Sequence, residues 1–370
     1  MNNEEVQIVF LSIIIPIYND EKYIKECLNS CLNQDISTDD YEIICVDDGS
    51  TDATRDILEL YQRQHSNVIL LFKEHQGGGR GRNSGYEIAK GDYVWFVDHD
   101  DVIRENVLGI LKGTVSRHDC DRLVFSVYVF SNELTEEERL QLQVGELKAN
   151  GAMYRNAIWA GITKRSFLVK NNIWPRTKLI PDNEPLYFSD GFFVSECQIA
   201  NAVEYEIDSQ PVYFYRLHKN QETRNLSDKA IRNKIKGLIN QAAACKRLVD
   251  DERTRLGSAR EATVNNYMQW VRTAASHIAG MPRQFFSEGV HLMKEASIYP
   301  VKTPKESTYS CKNCIHNNRR YGQSTFRCIA YYYSGTRLGL RAYRILCWKG
   351  IVSNAMRKNR LLCSLLKTRK

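Results

Sequence analysis

Apolar, β-branched segments alternate with amphipathic helical segments through the first hundred residues, and several of the apolar segments end in polar side chains. The segments Val9–Ile17, Tyr41–Val46, Val68–Phe72 and Tyr93–Val97 predict buried strands. Between them, apolar residues recur at helical spacing. This alternation predicts an α/β fold in which helices cover both faces of a mostly parallel sheet. With 43% hydrophobic and 26% charged residues, the composition is that of a globular protein.

At 370 residues the chain exceeds the usual size of a single hydrophobic core, so we expect more than one part. We assign residues 1–225 to the sheet domain, 226–300 to a helical region and 301–370 to a basic, aromatic tail. From Tyr331 to Lys370 there are many Lys and Arg and no Asp or Glu. Interleaved basic and aromatic residues favour an anionic membrane surface, with a merely solvated basic end as the alternative. We expect no nucleic-acid partner, because no recognisable nucleic-acid module accompanies the tail.

The apolar run Ile8–Tyr18 follows an acidic start and is too short to span a bilayer, so it predicts neither a signal peptide nor a membrane helix. Cysteines within apolar stretches, such as Cys27, are interpreted as reduced thiols. We therefore expect a cytoplasmic protein, with any membrane attachment peripheral. Cys311, Cys314 and Cys328 have part of a zinc-site spacing but no obvious fourth ligand, so reduced thiols are favoured there too.

Three predicted strands end in unusually polar turns, and ligands of parallel sheets bind at such carboxyl ends. After the first strand, Asn19 can cap the following helix. The second turn contains Asp47 and Asp48, which can accept hydrogen bonds from a base or ribose, although a plain turn and helix cap would explain half of this motif. The third contains Asp98 and Asp100, oxygen ligands suited to a hard divalent cation, with a solvated acidic loop as the alternative.

The glycine-rich segment 77–85 resembles a dinucleotide fingerprint at first sight, because it follows a strand and opens a helix. Its spacing fails that test, since the third glycine falls on Arg82 or on Ser84 in the two possible registers. Arg80 and Arg82 indicate charge-assisted contacts to a diphosphate instead.

Together these segments resemble glycosyltransferase family 2, whose members carry Pro-x-Tyr-Asn, Asp-Asp-Gly-Ser-x-Asp, Ala-Arg-Asn-x-Gly and Asp-x-Asp in this order. The matching segments are Pro16–Asn19, Asp47–Asp52, Gly81–Gly85 and Asp98–Asp100, with Gly81 where the family often has alanine. The resemblance implies the Rossmann-like GT-A fold with a helical, basic C-terminal extension. It also implies a metal-dependent, inverting transferase that uses a nucleotide-sugar donor, preferably a UDP-sugar. A sugar or lipid-linked sugar would be the acceptor, in bacterial surface polysaccharide or lipopolysaccharide assembly.

The resemblance further implies roles for individual residues. The residues expected to bind the nucleotide sugar are Pro16, Tyr18, Asn19, Asp20, Asp47, Asp48, Arg82 and Asp98. Those expected to hold Mn²⁺ or Mg²⁺ are Asp98, Asp100 and His218, with a surface position as the alternative for His218.

The general base implied by the resemblance is Asp190, in Ser189-Asp190-Gly191-Phe192-Phe193, although Ser189 replaces the family's usual Glu. Asp182 and Glu184 are the competing candidates. Trp159 and Lys164 resemble a segment near the donor sugar or acceptor, with a core position as the alternative for Trp159.

Two other functions remain as alternatives at this point. One is a nucleotide-sugar-binding protein that docks on a membrane or partner without turnover. The other is a nucleotidyltransferase, which also uses metal-binding carboxylates on an α/β sheet but attacks phosphorus.

Overall fold

A computed structural model of the chain describes residues 9–298, with gaps at 75–77, 132, 144–146, 151–156, 181–183, 185–188, 209, 219–220, 222–226, 251–262, 266, 269, 272–273, 276–277 and 279–282. The chain divides into two compact units, Met1–Lys178 with Ser189–Arg224 and Leu179–Phe188 with Asn225–Lys370. The predicted tail, with Cys311, Cys314 and Cys328, lies outside the described residues.

The first unit contains the predicted alternation of strands and helices. Its elements are, in chain order, β1 (Leu11–Ile17), α1 (Ile24–Leu32), β2 (Tyr41–Asp47), α2 (Thr54–Gln64), β3 (Val68–Phe72), α3 (Gly78–Ile88), β4 (Tyr93–Phe96), β5 (Val102–Ile103), α4 (Leu108–Arg117), β6 (Arg122–Phe125), β7 (Val127–Ser131), α5 (Glu136–Gln143), β8 (Gly161–Lys164), α6 (Arg165–Asn171), α7 (Ser189–Ile199), β9 (Glu204–Ile207) and β10 (Tyr213–Leu217).

Seven of these strands form one sheet in the order β3-β2-β1-β4-β8-β6-β9. Strands β3, β2, β1 and β4 are parallel, whereas β8 runs antiparallel to both β4 and β6. Every residue of β1 and β2 is buried, which explains their uninterrupted apolar runs. The chain leaves β1 on one side through β2 and β3 and returns to β4 on the other. The carboxyl ends of β1 and β4 therefore flank a topological switch point, where α/β sheets bind ligands.

Helix α3 packs closely against β1 through two glycines. A Cβ at Gly85 would lie 2.4 Å from Ile14 Cγ2, and a Cβ at Gly81 would lie 3.0 Å from Pro16 Cβ. Glycine at these positions therefore lets the helix approach the strand. The close approach brings Arg82, between the two glycines, to the carboxyl end of β1.

A second, three-stranded sheet has the order β5-β10-β7. Strand β10 pairs antiparallel to β5 and parallel to β7. Because β5 follows the Asp98–Asp101 turn directly, this pairing brings β10 beside that turn.

The second unit contains helices α8 (Asp228–Asp250) and α9 (Arg283–Glu295), both within the stretch predicted to be helical. Buried apolar residues of this unit include Leu238 and Phe285, and Arg232 of α8 lies 3.2 Å from Glu288 of α9. Among the residues that the structure describes, no helix combines the length and apolar character needed to cross a bilayer.

Candidate active site

The turns after β1 and β2 are joined to each other through Asn19. The backbone N–H of Asn19 donates to Ser50 Oγ at 3.0 Å, and its side-chain Oδ1 accepts from the N–H of Thr51 at 2.8 Å. Asn19 has a φ of 50°, a left-handed conformation that Asn tolerates well. The expectation that Asn19 caps a helix is wrong, because α1 begins only at Ile24 and the Asn19 side chain bonds across to the second turn.

Two buried carboxyl groups occupy the turn after β2. Asp47 and Asp48 are each 2% exposed. Asp47 Oδ1 accepts the N–H of Ser50 at 3.0 Å, and the N–H of Asp48 donates to the carbonyl oxygen of Ile17 at 2.8 Å. The turn depends on Gly49, whose φ of 83° favours glycine. The residues expected to bind the nucleoside thus lie together at the carboxyl ends of β1 and β2.

The other residues expected around the nucleoside lie along the same edge. Pro16 lies within β1, and Tyr18 follows the strand with 39% of its surface exposed. Asp20 is buried, and its N–H donates to Thr54 Oγ1 at 2.8 Å.

Arg82 joins the turn after β4 to the expected base. Its Nη2 lies 2.5 Å from Asp98 Oδ1, and its Nη1 lies 3.3 Å from Asp190 Oδ1. Asp190 is in the first turn of α7, which carries it to the sheet edge. Arg82 is 9% exposed, so its charge is balanced in a largely buried setting by these two carboxylates.

Two histidines lie against carboxylates of the same edge. His218 Nε2 lies 2.8 Å from Asp100 Oδ2, and His99 Nδ1 lies 2.9 Å from Asp20 Oδ2. His218 follows β10 directly and its ring packs against Tyr23, with 4.9 Å between ring centroids. The structure thus brings His218 to the predicted Asp-x-Asp turn and not to the protein surface.

Asp101, Tyr213 and Arg216 form a buried network that the sequence analysis did not identify. Asp101 is 0% exposed and accepts from the Tyr213 hydroxyl and from the Arg216 N–H, each at 2.7 Å. The Tyr213 hydroxyl also accepts the N–H of Asp98 at 3.1 Å. The available signal was the third carboxyl group of Asp98-His99-Asp100-Asp101, but its partners lie more than a hundred residues later.

The surroundings affect the carboxyl groups of this turn in different ways. Burial raises the pKa of Asp98, although the charge of Arg82 opposes that shift. For Asp100, burial opposes ionisation, but the hydrogen bond with His218 and the charge of His99 outweigh it and lower the pKa. Burial and the charges of Asp100 and Asp98 raise the pKa of Asp101 well above its ordinary value. Asp100 is therefore the member of the turn whose ionised form is favoured.

The pair of Asp100 and His218 supplies a carboxylate oxygen and an imidazole nitrogen, two ligands that divalent cations accept. Asp98, also predicted as a metal ligand, is engaged by Arg82. In the described part of the chain, no group of three or more His, Cys, Asp and Glu side chains is arranged to hold a metal ion.

Two further residues, Trp159 and Lys164, were expected near the donor sugar or acceptor. Trp159 is buried and stacks on Tyr213 and Tyr215, with ring centroids 4.6 Å and 5.1 Å away, so the core alternative describes it. Lys164 pairs in register with Tyr93 at the start of β4, at the opposite sheet edge from Asp98, so the expectation that it lies near the sugar is wrong.

The two competing candidates for the base are Glu184 and Asp182. Glu184 is exposed in the second unit, where it accepts from Asn240 Nδ2 at 3.4 Å. Asp182 lies outside the described residues. Cys27, Cys31 and Cys45 are buried, free cysteines.

Comparison with known proteins identifies residues 12–173 as matching the family model of glycosyl transferase family 2. A poly(ribitol-phosphate) beta-glucosyltransferase from Bacillus spizizenii is 49% identical over 100 residues, which are 26% of this chain and 16% of that protein. Glycosyltransferase GlyG from Streptococcus pneumoniae is 32% identical over 162 residues, which are 39% of this chain and 53% of that protein. The chain thus spans about half or less of the length of these curated relatives.

Among solved structures, Staphylococcus aureus TarS 1–349 in complex with UDP-GlcNAc aligns with a TM-score of 0.63, at 19% identity and over 92% of each chain. This likeness shows the fold, which is GT-A with a mostly parallel sheet flanked by helices. The sequence motifs, the family match and the shared fold agree with one another. Residues 12–173 therefore belong to glycosyltransferase family 2, in a domain of GT-A fold.

Proposed function

We propose that this chain is an inverting glycosyltransferase that moves a sugar from a nucleoside diphosphate sugar, in the first instance a UDP-sugar, to an acceptor hydroxyl. The observation that carries the proposal is the double contact of Arg82 with Asp98 and Asp190. It supports the proposal because one guanidinium connects the turn expected to bind the donor with the residue expected to act as base.

The nucleoside diphosphate binds along the carboxyl ends of β1, β2 and β4. Asp47 and Asp48 accept hydrogen bonds from the nucleoside, and Tyr18 provides an exposed ring beside them. The hydrogen bond between Asn19 and Ser50 supports this role, since it holds the two turns together. Arg82, buried and doubly paired, orients Asp98 at the ribose side.

Asp190 accepts the proton of the acceptor hydroxyl while that oxygen attacks the anomeric carbon. The bond between this carbon and the diphosphate oxygen breaks, and its electron pair leaves with the diphosphate. Attack from the face opposite the leaving group inverts the configuration. The Asp190 side chain is 26% exposed, which supports access of an acceptor to its carboxylate.

Asp100 and His218 would hold the Mn²⁺ or Mg²⁺ ion, with Asp98 in the same turn. The donor set fits such a cation, because Mg²⁺ is usually bound by one or two carboxylates plus substrate phosphates. When bound, the ion neutralises negative charge on the departing diphosphate.

For the acceptor we propose a sugar or lipid-linked sugar of a surface polysaccharide or related glycopolymer. The name of the Bacillus spizizenii relative, a poly(ribitol-phosphate) glucosyltransferase, supports this class.

Residues 301–370 contain sixteen Lys and Arg and one Glu, a composition suited to the anionic surface of the cytoplasmic membrane. The full chain should therefore sediment with vesicles containing anionic lipid and not with neutral vesicles. Equal sedimentation with both would contradict the membrane proposal.

The test of the donor site is thermal stabilisation by a panel of nucleoside diphosphates, each with Mn²⁺ and with EDTA, because a ligand that binds the folded state raises the Tm. We expect UDP with Mn²⁺ to give the largest rise. If no nucleotide raises the Tm, the donor-site proposal fails.

Product analysis separates the proposed reaction from its alternatives. Incubation with a UDP-sugar and acceptor should release free UDP and a glycosylated acceptor. Pyrophosphate release would indicate a nucleotidyltransferase. Binding of the donor without any product would indicate a nucleotide-sugar-binding protein without turnover.

A further inference from the structure

The turn that carries Asp98 and Asp100 is fastened to strand β10 by a chain of hydrogen bonds. The N–H of Asp98 donates to the Tyr213 hydroxyl at 3.1 Å, and that hydroxyl bonds to Asp101 Oδ2 at 2.7 Å. Asp101 Oδ1 accepts the N–H of Arg216 at 2.7 Å. The first and last residues of the turn are thus tied to two points of one strand.

A third contact joins the middle of the turn to the same strand. Arg216 Nε donates to the carbonyl oxygen of Asp100 at 2.7 Å, while Arg216 Nη2 lies 2.6 Å from Glu26 of α1. Arg216 is 1% exposed, so these contacts are shielded from water. His218, two residues after Arg216, then lies 2.8 Å from Asp100.

These contacts add to the backbone pairing of β5 with β10, which brings His218 near the turn that carries Asp100. The turn follows β4 of the large sheet, whereas His218 follows β10 of the small sheet. Backbone pairing of β5 with β10 joins Val102 to Phe214 and Ile103 to Tyr213, and it does not include the residues of the turn. The Tyr213 and Asp101 side chains therefore hold the turn itself against β10, beyond the end of that pairing.

We propose that Tyr213, through its hydroxyl bonds to Asp98 and Asp101, is a positioning residue that sets Asp100 and His218 at the spacing needed to bind the catalytic cation. The inference rests on the proposed function, in which Asp100 and His218 hold Mn²⁺ or Mg²⁺. It assigns Tyr213 no contact with substrate or metal. Replacing a residue that hydrogen-bonds to metal ligands and orients them typically lowers metal affinity by about 10-fold to 100-fold.

Tyr213→Phe isolates the hydroxyl from the ring. The ring of Tyr213 stacks on Trp159, with 4.6 Å between centroids, and phenylalanine can keep that packing. The lost hydroxyl leaves the Asp98 N–H and Asp101 Oδ2 without the partner they share. If the Tyr213 hydroxyl had only a structural role, its loss should have the same effect as the loss of another buried tyrosine hydroxyl.

Tyr93→Phe is the matched control for such a loss. Tyr93 is a buried tyrosine at the start of β4, the strand that precedes the Asp98 turn, and its hydroxyl donates to the carbonyl oxygen of Cys120 at 3.2 Å. It lies at the sheet edge opposite Asp98, so it shares the structural cost without the link to the turn.

The measurement is isothermal titration of the full-length wild type and both variants with UDP, once with Mn²⁺ and once with EDTA. The ratio of the UDP dissociation constant in EDTA to that with Mn²⁺ reports how strongly the cation and UDP support each other's binding. We expect the ratio to be similar for the wild type and Tyr93→Phe and about tenfold smaller for Tyr213→Phe. The dissociation constant in EDTA should be unchanged in all three, which also shows that the variants are folded.

The outcomes separate the inference from the function on which it rests. Equal ratios for all three proteins, above one, would overturn the role of Tyr213 and leave the proposed function standing. A ratio of one in the wild type would overturn both the cation role of Asp100 and His218 and the inference. If UDP does not bind the wild type in either condition, the UDP donor proposal fails, and the inference fails with it. A weaker dissociation constant for Tyr213→Phe in EDTA as well would mean general damage to the site and would also overturn the inference.

Discussion

The carboxylates of Asp98 and Asp190 share one guanidinium, that of Arg82, although one follows a strand and the other begins a helix. Asp98 follows β4, and Asp190 lies in the first turn of α7. Arg82 reaches both carboxylates because α3 packs closely on β1 at Gly81 and Gly85, where a Cβ atom would collide with the strand. This relationship connects the proposed donor side of the site to the proposed base.

Replacement of the proposed base, Asp190→Asn, should lower kcat by about 10²-fold to 10⁴-fold, because the amide cannot accept the acceptor proton. Binding of UDP should remain, since the residues proposed to bind the nucleoside lie on other turns. Steady-state kinetics with a UDP-sugar, together with UDP titration, measure the two effects. The control is Asp119→Asn, an exposed carboxylate paired with Lys164, which should leave kcat unchanged. Near wild-type kcat in Asp190→Asn would remove the base assignment.

Replacement of the shared guanidinium, Arg82→Lys, should impair both stability and activity. A lysine presents one point charge and cannot hold two separate carboxylates as the Arg82 fork does. One carboxylate would be left without its partner, at a cost of about 1–3 kcal/mol in the free energy of unfolding. Chemical denaturation and kcat measure the change. Arg63→Lys on α2, where Arg63 is exposed beside Glu59, is the control and should be neutral. If both variants behave alike, the Arg82 bridge contributes little.

The two helical glycines Gly85 and Gly113 should respond to alanine with opposite signs. In α3, a Cβ at Gly85 meets Ile14 Cγ2 at 2.4 Å, so Gly85→Ala should destabilise by about 1–3 kcal/mol through overpacking. In α4, a Cβ at Gly113 meets only Arg117 Nη1 at 3.4 Å, so Gly113→Ala should stabilise by up to about 1 kcal/mol through helix propensity. Thermal or urea unfolding measures both. A neutral Gly85→Ala would mean that α3 can move away from β1 without cost.

Glu196 on α7 should make stability depend on pH. Burial raises its pKa to about 8 from an ordinary value of 4.5, and its buried Oε2 has no hydrogen-bond partner among the described residues. The folded state therefore holds this proton to higher pH than the unfolded state. Stability from this group is fully present below pH 4.5 and is lost as the pH rises through about 8.

Glu196→Gln removes that loss, because the amide stays neutral. The Tm of the variant relative to the wild type should thus increase from pH 5 to pH 8, by several degrees. Glu87→Gln, an exposed position on α3, is the control and should show no such trend. A pH-independent difference for Glu196→Gln would contradict the raised pKa.

Much of the first unit could be predicted from local pattern. The predicted strand Val68–Phe72 matches β3 at both ends, and β1, β2 and β4 differ from prediction by one or two residues at an end. Uninterrupted apolar runs are reliable here because both faces of the central strands are covered. Past Ser131 the pattern weakened, since short strands such as β8 and β10 pair with partners far away in the chain.

The sequence by itself determined the alternation of strands and helices, the polar turns at the strand ends and the family that residues 12–173 match, because hydrophobic period and turn chemistry are local properties. Only the tertiary structure decided which side chains meet: Arg82 with Asp98 and Asp190, His218 with Asp100, and Asp101 with Tyr213. Most of these partners lie more than a hundred residues apart along the chain. Their choice depends on strand order, register and the close approach of α3 to β1, which no local pattern encodes.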